Sequence, residues 1–303
     1  MRSGFIAILG KPNVGKSSLM NALVGEKVSI VSPKAQTTRD KILGIATDAE
    51  AQMIFVDTPG IHKPRSALDT YMEKCVSSAT DGVDVTVIVL DATKNCTDAD
   101  LAFIEKHLHG ATPVYVVVNK TDLVSYEKVY PILSRLAPLT QKEGKRNAVK
   151  EVVPTSCRKG VNIELLRNYL KSELPEGECY FDPDDITDKS ERYMIAEIVR
   201  EKALLYLQDE IPHGIGVCVQ TMTQNADRAE IGVDIVCEKD SHKAIIIGEK
   251  GRMLKTIGEH ARLDIEKLLG CKVYLQLFVK VRADWRNRRD MLNDIGYNAK
   301  TKL

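Results

Sequence analysis

Residues 5–25 read "FIAILGKPNVGKSSLMNALVG". A five-residue apolar run ends at Gly10, the pattern G-x-x-x-x-G-K-S occupies Gly10 to Ser17, and apolar residues at helical spacing follow. Strand, glycine-bracketed turn and helix, in that order, are what a phosphate-binding loop needs. Glycine lets the backbone turn its N–H groups inward, and the N-terminus of the following helix adds positive dipole. Gly10, Lys11, Pro12, Asn13, Val14 and Gly15 would wrap the phosphates. Lys16 would sit against the β- and γ-phosphates, Ser17 would offer its hydroxyl to Mg2+, and Ser18 would complete the first helical turn.

Outward from this stretch, residues 1–172 alternate strand-like and helix-like patterns. "AQMIFVDTPG", "VDVTVIVLDAT" and "TPVYVVVNKTD" are β-branched apolar runs that each break into a polar turn, and "EVVPTS" is a shorter one. Runs this uniformly apolar suit a parallel sheet covered on both faces. "KSSLMNALVG", "TDADLAFIEKHL", capped at Thr97, and "NIELLRNYLKSEL" read as helices. The expected fold is a doubly wound α/β domain. In such folds ligands bind beyond the carboxyl ends of the strands, and here those ends carry Gly10, Asp57, Asn119–Asp122 and Ser156.

Each of these positions has a chemical reading. In "DTPG", Asp57 is suited to hold magnesium through water, and the Gly60 amide to sense a γ-phosphate, with Thr58 and Pro59 forming the turn between them. In "NKTD", the Asp122 carboxylate matches the N1–H and exocyclic amine of guanine. Adenine lacks that donor pair, so the motif selects GTP over ATP by leaving the carboxylate unpaired in the wrong complex. Asn119 would brace the loops, the Lys120 stem would cover the ring, and Thr121 completes the turn. "TSCR" supplies Ser156 and Cys157 as a last backbone contact to the base. "KAQTTRD", residues 34–40, has the polar composition of a segment ordered by magnesium and γ-phosphate; either Thr37 or Thr38 suits the metal, and Thr38 is favoured. Many GTPases follow D-x-x-G with a water-orienting glutamine. Here Ile61 follows, so intrinsic hydrolysis is expected to be slow or to use another group. His62 is read as an exposed loop histidine before it is read as a base.

The totals set bounds. At 303 residues the chain has room for two domains. No apolar run reaches the roughly 20 residues that span a bilayer. The N-terminal apolar run ends in the phosphate loop, so it reads as a mature strand and not as a signal sequence. Seven scattered cysteines with no C-x-x-C pair argue against a disulfide framework or a zinc site and fit reduced thiols in a cytoplasmic protein. The net charge of +1 hides an asymmetry. From Glu173 to Glu191 there are eight acidic residues and one basic; from Lys243 to Arg289, twelve basic and five acidic.

Residues 173–188 are rich in Pro, Gly and acid and read as a linker. Beyond them, residues 189–303 carry an amphipathic helix (Ile195, Ile198, Val199, Ala203, Tyr206), strands at "HGIGVCVQTM" and "RAEIGVDIVCE", a second helical stripe from Leu254 to Leu268, and a strand at "KVYLQLFVKVRAD". The order α-β-β-α-β indicates a second, smaller α+β domain. A second glycine loop, "IIIGEKGRMLKTIG", precedes its second helix. It lacks the Lys-Ser pair of a phosphate loop. "VKVRADWRNRR" adds Lys280, Arg282, Arg286, Arg288 and Arg289, and the single tryptophan, Trp285, suits either stacking on a base or packing within the domain.

"KPNVGKSSLMNALVG" and "KAQTTRDKILGI" resemble the TrmE–Era–EngA branch of translation-factor-like GTPases. The stretch from Ile245 to Arg286 narrows the resemblance to the Era family, and it covers essentially the whole chain. The resemblance implies a P-loop GTPase domain followed by a type II KH domain, GTP or GDP with Mg2+ as ligands, and a GTP-hydrolysing switch. It further implies binding to the 3′ end of small-subunit ribosomal RNA in small-subunit assembly, with GTP favouring RNA binding. On the matching positions, Lys16, Asn13, Thr38 and Gly60 would serve hydrolysis. Asn13 would hold a K+ ion in place of the missing glutamine's effect. Gly248, Glu249, Lys250, Gly251, Arg252 and Lys255, with Lys280, Arg282, Trp285, Arg286, Arg288 and Arg289, would contact RNA. A monomer, cytoplasmic and peripheral at the inner membrane face, is also implied. Two other functions compete: a GTP-regulated adaptor docking on a protein or membrane, and an RNA binder with a vestigial nucleotide site, against which Lys16, Ser17, Asp57 and Asp122 speak.

Overall fold

The computed structural model describes residues 1–297 except residues 35, 61–65, 109–111, 141–147 and 226. The chain divides into two compact units: Met1–Ser29, Thr38–His62 and Lys74–Asp188; and Ile30–Thr37, Lys63–Glu73 and Lys189–Leu303.

The first unit is built on β1 (Arg2–Leu9), α1 (Lys16–Val24), β2 (Ile42–Thr47) and β3 (Ala51–Asp57). Helix α2 (Ala67–Ser78) crosses the division of the chain. The first unit continues with β4 (Val85–Asp91), α3 (Asp98–His107), β5 (Val114–Asn119), α4 (Tyr126–Thr140), β6 (Val149–Pro154) and α5 (Ile163–Glu173). The sheet order is β2-β3-β1-β4-β5-β6. Five strands are parallel, as the apolar runs require, but β2 is antiparallel to β3, so the sheet is mixed. Every residue of β3, β4 and β5 is buried, which is the physical counterpart of their uninterrupted apolar sequence. Helix α3 begins with the expected cap: Thr97 accepts from the Asp100 N–H, and Asp100 returns the bond to the Thr97 N–H.

The acidic stretch does not behave as a free linker. Residues up to Asp188 belong to the first unit. Pro175 accepts from the Ser3 N–H, Ile186 from the Ile45 N–H at 2.9 Å, and Gly44 bridges Thr187. The buried Gln52 amide accepts from the Tyr180 and Phe181 N–H groups at 2.8 and 3.0 Å. The segment thus follows the β2 side of the sheet and satisfies backbone groups that an edge strand would leave open.

The second unit contains α6 (Glu191–Tyr206), β7 (Gly216–Gln224), β8 (Arg228–Cys237), α7 (Asp240–Ile247), α8 (Arg252–Leu269), β9 (Lys272–Val281) and α9 (Arg289–Ile295). Its sheet runs β7-β8-β9, antiparallel then parallel. One sheet face and the helices bury a core of Ile195, Val199, Ile231, Val233, Ile235, Ile257, Ala261 and Ile265 among others. A separate cluster holds Trp285, Val236, Leu292, Ile295 and Tyr297 with Leu68 and Met72. Helix α7, which the order α-β-β-α-β omits, is only eight residues long and ends at Gly248.

Candidate nucleotide and RNA sites

The phosphate loop joins β1 to α1. Gly10 (φ 148°), Asn13 (φ 64°) and Gly15 (φ 102°) take positive φ, which turns successive peptide N–H groups to one side. A Cβ at Gly15 would lie 2.2 Å from the Asn119 amide nitrogen, so glycine is required there for space as well as conformation. That nitrogen donates to the Val14 carbonyl at 3.2 Å, which is how Asn119 braces the loop. Lys16 is buried and donates to the Gly10 and Lys11 carbonyls at 3.1 and 3.2 Å. Burial pulls its ammonium below the usual lysine range, opposed by Asp57. Lys11 turns outward to Asp100 at 2.7 Å, and Pro12 packs where a Cβ on Gly60 would collide with it at 2.8 Å. Ser18 lies in the first turn of α1 beside Ser17.

Ser17, Thr38 and Asp57 converge. Ser17 Oγ is 2.9 Å from Thr38 Oγ1 and donates to Asp57 Oδ2 at 2.6 Å; Thr38 Oγ1 lies 3.4 Å from the same oxygen. Ser29 adds a bond to Asp57 Oδ2 at 3.1 Å. Asp57 is fully buried and its Oδ1 has no protein partner. Burial pushes its carboxyl above the usual range, against the pull of Lys16 and the two serines. Hard oxygen donors around a buried, under-satisfied carboxylate fit a magnesium ion with retained water. Thr37 points elsewhere, donating to the Lys34 carbonyl at 2.6 Å. Thr58 is buried and donates to the Ile8 carbonyl at 3.3 Å, fixing the turn that leads through Pro59 to Gly60. Ile61 and His62 lie outside the described residues.

The N-K-T-D loop, residues 119–122, follows β5. Lys120 (φ 68°) lays its chain across to the Asn13 carbonyl and to Asp91 Oδ2, the latter at 2.7 Å. Thr121 bonds the Thr155 carbonyl through both N–H and hydroxyl, tying the loop after β5 to the loop after β6. Ser156 is engaged within the protein. Its hydroxyl donates to Asp122 Oδ1 at 2.6 Å, while its N–H is taken by the Val161 carbonyl. It therefore positions the Asp122 carboxylate, a contact for which the sequence carries no spacing signal. The Cys157 N–H points to Asn119 Oδ1 at 3.3 Å, and burial pushes its thiol up to about 12, which leaves no thiolate for chemistry.

In the second unit, Gly248 (φ 73°, ψ 174°), Glu249, Lys250 (φ 50°, ψ 30°) and Gly251 (φ 77°, ψ 8°) make the turn between α7 and α8. Glu249, Lys250, Arg252 and Lys255 are exposed around it. An open groove of about 380 Å³ runs from Gly251 along α8, past Leu254, Lys255, Gly258 and Arg262, with Leu275 and Leu277 of β9 opposite. Gly258 sits 3.3 Å, measured from a would-be Cβ, from Leu277, so a larger residue would press into this wall. The sequence reading missed Gly258, Arg262, Leu275 and Leu277. They alternate with exposed residues and register as groove only once strand and helix are paired.

The basic C-terminal stretch is more internally engaged than its sequence suggests. Arg286 forms a two-pronged pair with Glu238 at 2.9 and 2.7 Å; Arg288 pairs with Asp290, Arg282 with Asp294 and Lys280 with Asp234. Arg289 opens α9 and is exposed. Trp285 is a correction: it is completely buried, stacks near Tyr297 and donates its indole N–H to the Gly214 carbonyl at 3.0 Å. A ring with no exposed face cannot stack on a base.

A loop built this way, an oxygen cluster of the kind that suits magnesium and the N-K-T-D loop beside it define a P-loop GTPase, joined in one chain to a G-x-x-G domain. Residues 5–120 match the family of 50S ribosome-binding GTPases, and residues 210–286 match the KH domain. GTPase Era of Clostridioides difficile (strain 630) is 46% identical over 302 residues, covering 99% of each chain. That of Alkaliphilus metalliredigens (strain QYMF) is 46% identical over 298 residues, 98% of this chain and 99% of the relative. Among solved structures, Aquifex aeolicus Era bound to GDP and aluminium fluoride matches with a TM-score of 0.89 at 40% identity, covering 98% of this chain and 99% of that one. An Era complex with MgGDPNP and nucleotides 1506–1542 of 16S ribosomal RNA matches with a TM-score of 0.89 at 39% identity over the same shares. The chain belongs to the Era family of GTPases.

Proposed function

We propose that this chain is a GTP-hydrolysing switch whose second unit binds the 3′ region of small-subunit ribosomal RNA during assembly of the small ribosomal subunit. The observation that carries the reading is the meeting of Ser17, Thr38 and Asp57 within 3.4 Å. Thr38 lies in a segment of the kind that magnesium and a γ-phosphate order and that hydrolysis releases. GTP and GDP then differ in what they offer Thr38, and only such a differential contact can shift a conformational equilibrium. Mg2+ would be held by Ser17 and Thr38 directly and by Asp57 through water, and it supplies positive charge to the phosphate oxygens. Lys16 neutralises the β/γ-phosphates, the Gly60 amide senses the γ-phosphate, and Asp122, oriented by Ser156, selects guanine. The Era relative held with both a magnesium nucleotide and 16S RNA supports the RNA half of the reading.

Within this reading Asn13 holds a K+ ion beside the phosphates, and equal turnover in sodium and potassium would remove that element. The protein acts as a monomer and makes peripheral membrane contact; among the described residues no helix is long and apolar enough to cross a membrane. The domain division in this reading is a nucleotide domain over residues 1–172, an acidic connector over 173–188 and a KH domain from residue 189. The test is the affinity for a 3′-terminal small-subunit RNA measured with GDP and with a non-hydrolysable GTP analogue. Tighter binding with the analogue, lost in Thr38→Ala, supports the switch. Equal affinities with both nucleotides would overturn it.

A further inference from the structure

Strand β9 is the edge of the second unit's sheet, so its two rows of side chains meet different surroundings. One row, Leu275 and Leu277, lines the groove against α8. The other row, Lys272, Tyr274, Gln276, Phe278 and Lys280, is exposed along its whole length. Tyr274 and Phe278 are 49% and 51% exposed. One exposed aromatic on a sheet is ordinary. Here two stand on one row, roughly 13 Å apart by the rise of a strand, on either side of a glutamine amide.

The neighbouring strand completes the surface. On β8, Glu230, Gly232 and Asp234 stand opposite Tyr274, Gln276 and Phe278. Gly232 is buried, and the Thr221 hydroxyl of β7 fills the space where its Cβ would stand, 2.5 Å away. The acidic neighbours are neutralised: Glu230 by Arg228 at 3.2 Å, and buried Asp234 by Lys280 at 2.7 Å, a charge pair without hydrogen-bond geometry. The Arg228 guanidinium also lies over the Tyr274 ring, 5.6 Å from its centre. The Val236 end of this same face is covered by the Trp285 cluster; the Tyr274–Phe278 end is exposed.

We propose that this outer face of the sheet is a second, base-stacking surface for single-stranded RNA, continuous with the groove around the β9 edge. The inference rests on the RNA-binding reading above and extends it to a face that the G-x-x-G loop does not reach. An RNA strand leaving the groove at Leu275 and Leu277 crosses one strand's thickness and lays successive bases on Tyr274 and Phe278. Aromatic rings accept any base by its π-face, and Lys272 at the end of the row meets the phosphates. The outer edge of β9 offers backbone N–H and C=O groups to base edges and 2′-hydroxyls. Chemistry favours RNA over a protein partner here, because the exposed row contains rings, an amide and cations and no aliphatic side chain. Lysines at both ends of the row also oppose edge-to-edge pairing with a second copy of the chain.

The test uses the full chain and nested single-stranded RNAs from the 3′ end of small-subunit ribosomal RNA, one of about four nucleotides, the span a KH loop clamps, and one of about twelve. The double variant Tyr274→Ala/Phe278→Ala should bind the longer RNA at least about 10-fold more weakly and the shorter one unchanged. Tyr274→Phe/Phe278→Tyr, which keeps both rings, should bind both RNAs as the unaltered chain does. Ultraviolet crosslinking of the longer RNA should map to peptides holding Tyr274 or Phe278. Unchanged affinity of the alanine variant for the longer RNA overturns the proposal. So does an equal loss on both RNAs, which marks a structural effect, or normal RNA affinity with lost association to the assembling subunit, which marks a protein partner. If the unaltered chain binds neither RNA, the RNA-binding reading itself falls and this inference falls with it.

Discussion

Replacing either glycine of the second loop by alanine should give two different results. Gly248 has φ 73° and ψ 174°, a region essentially closed to other residues, and a Cβ there would sit 2.7 Å from Met253 Cβ and 3.0 Å from its backbone nitrogen. The obstacle is the first turn of α8, which cannot yield without unwinding. Occupying that region costs 1–3 kcal/mol before the collision is counted, so Gly248→Ala should destabilise the second unit by about 3 kcal/mol. Gly251 has φ 77° and ψ 8°, an ordinary left-handed conformation, and a Cβ there meets nothing within 4 Å. Its alanine variant should lose only about 1 kcal/mol, the left-handed cost less the gain from a stiffer unfolded chain. Urea unfolding followed by the fluorescence of Trp285, the only tryptophan and part of the second unit, reads both changes. Asparagine tolerates the left-handed region, so Gly251→Asn should restore stability yet still bind RNA about 10-fold more weakly, because its side chain stands where a phosphate must approach. Equal stability of the two alanine variants would refute the conformational argument. Gly251→Asn binding RNA as tightly as the unaltered chain would refute the phosphate-approach argument.

Asp122→Asn should weaken GTP binding by about 100-fold, since the amide cannot accept both guanine donors, and should favour xanthosine triphosphate, whose C2 oxygen accepts the amide N–H; nucleotide competition reads the switch. Lys16→Ala should lower GTP turnover by about 100-fold or more in a phosphate-release assay while RNA binding in GDP is retained. Asp48 supplies a pH signature. Burial raises its carboxyl, but bonds from Lys171 and from the Glu50 and Ala51 N–H groups outweigh this and hold it at about 2, below its ordinary 3.8. A carboxyl depressed in the folded state stabilises above its unfolded value and loses that contribution as pH falls from about 4 to about 2. At this partly exposed site the loss should be about 1 kcal/mol, and Asp48→Asn should flatten it in urea titrations across that window.

The elements legible in the sequence are those whose physics is local. Strands β1, β3, β4 and β5 are apolar on both faces because both faces are covered, and the Thr97 cap lies three residues from its partner. What escaped depends on distant partners. Strand β2 carries Gly44 and Ala46 in place of large residues and runs antiparallel between β3 and the stretch at Ile186–Thr187. The acidic stretch has a linker's composition, yet Gln52 holds it from 129 residues away. Helix α4 hides behind Pro131 and Pro138 and is carried by the buried Val129, Ile132, Leu136 and Leu139. Trp285 sits among arginines in sequence and in the core in space, because a short 3-10 turn after β9 points it at Gly214 and the arginines at Glu238 and Asp290. In the candidate nucleotide site the motifs stand out in the sequence, but the Ser156–Asp122 bond does not, since 34 residues separate donor from acceptor.

The two glycine loops share a device and differ in what surrounds it. Gly15 and Gly251 both cap a helix N-terminus in the left-handed region. Around Gly15 the protein closes in: the Asn119 amide would be 2.2 Å from a Cβ, and Lys120 reaches over to the Asn13 carbonyl. Around Gly251 there is open space and an open groove. A loop braced on all sides by its own protein fixes its N–H groups around a small, highly charged ligand and gains from their rigidity. A loop open on one side accepts a ligand that enters and leaves along its length, as a polymer backbone does. The G-x-x-G spacing by itself separates neither case; the crowding of the second glycine does, close at Gly15 and open at Gly251.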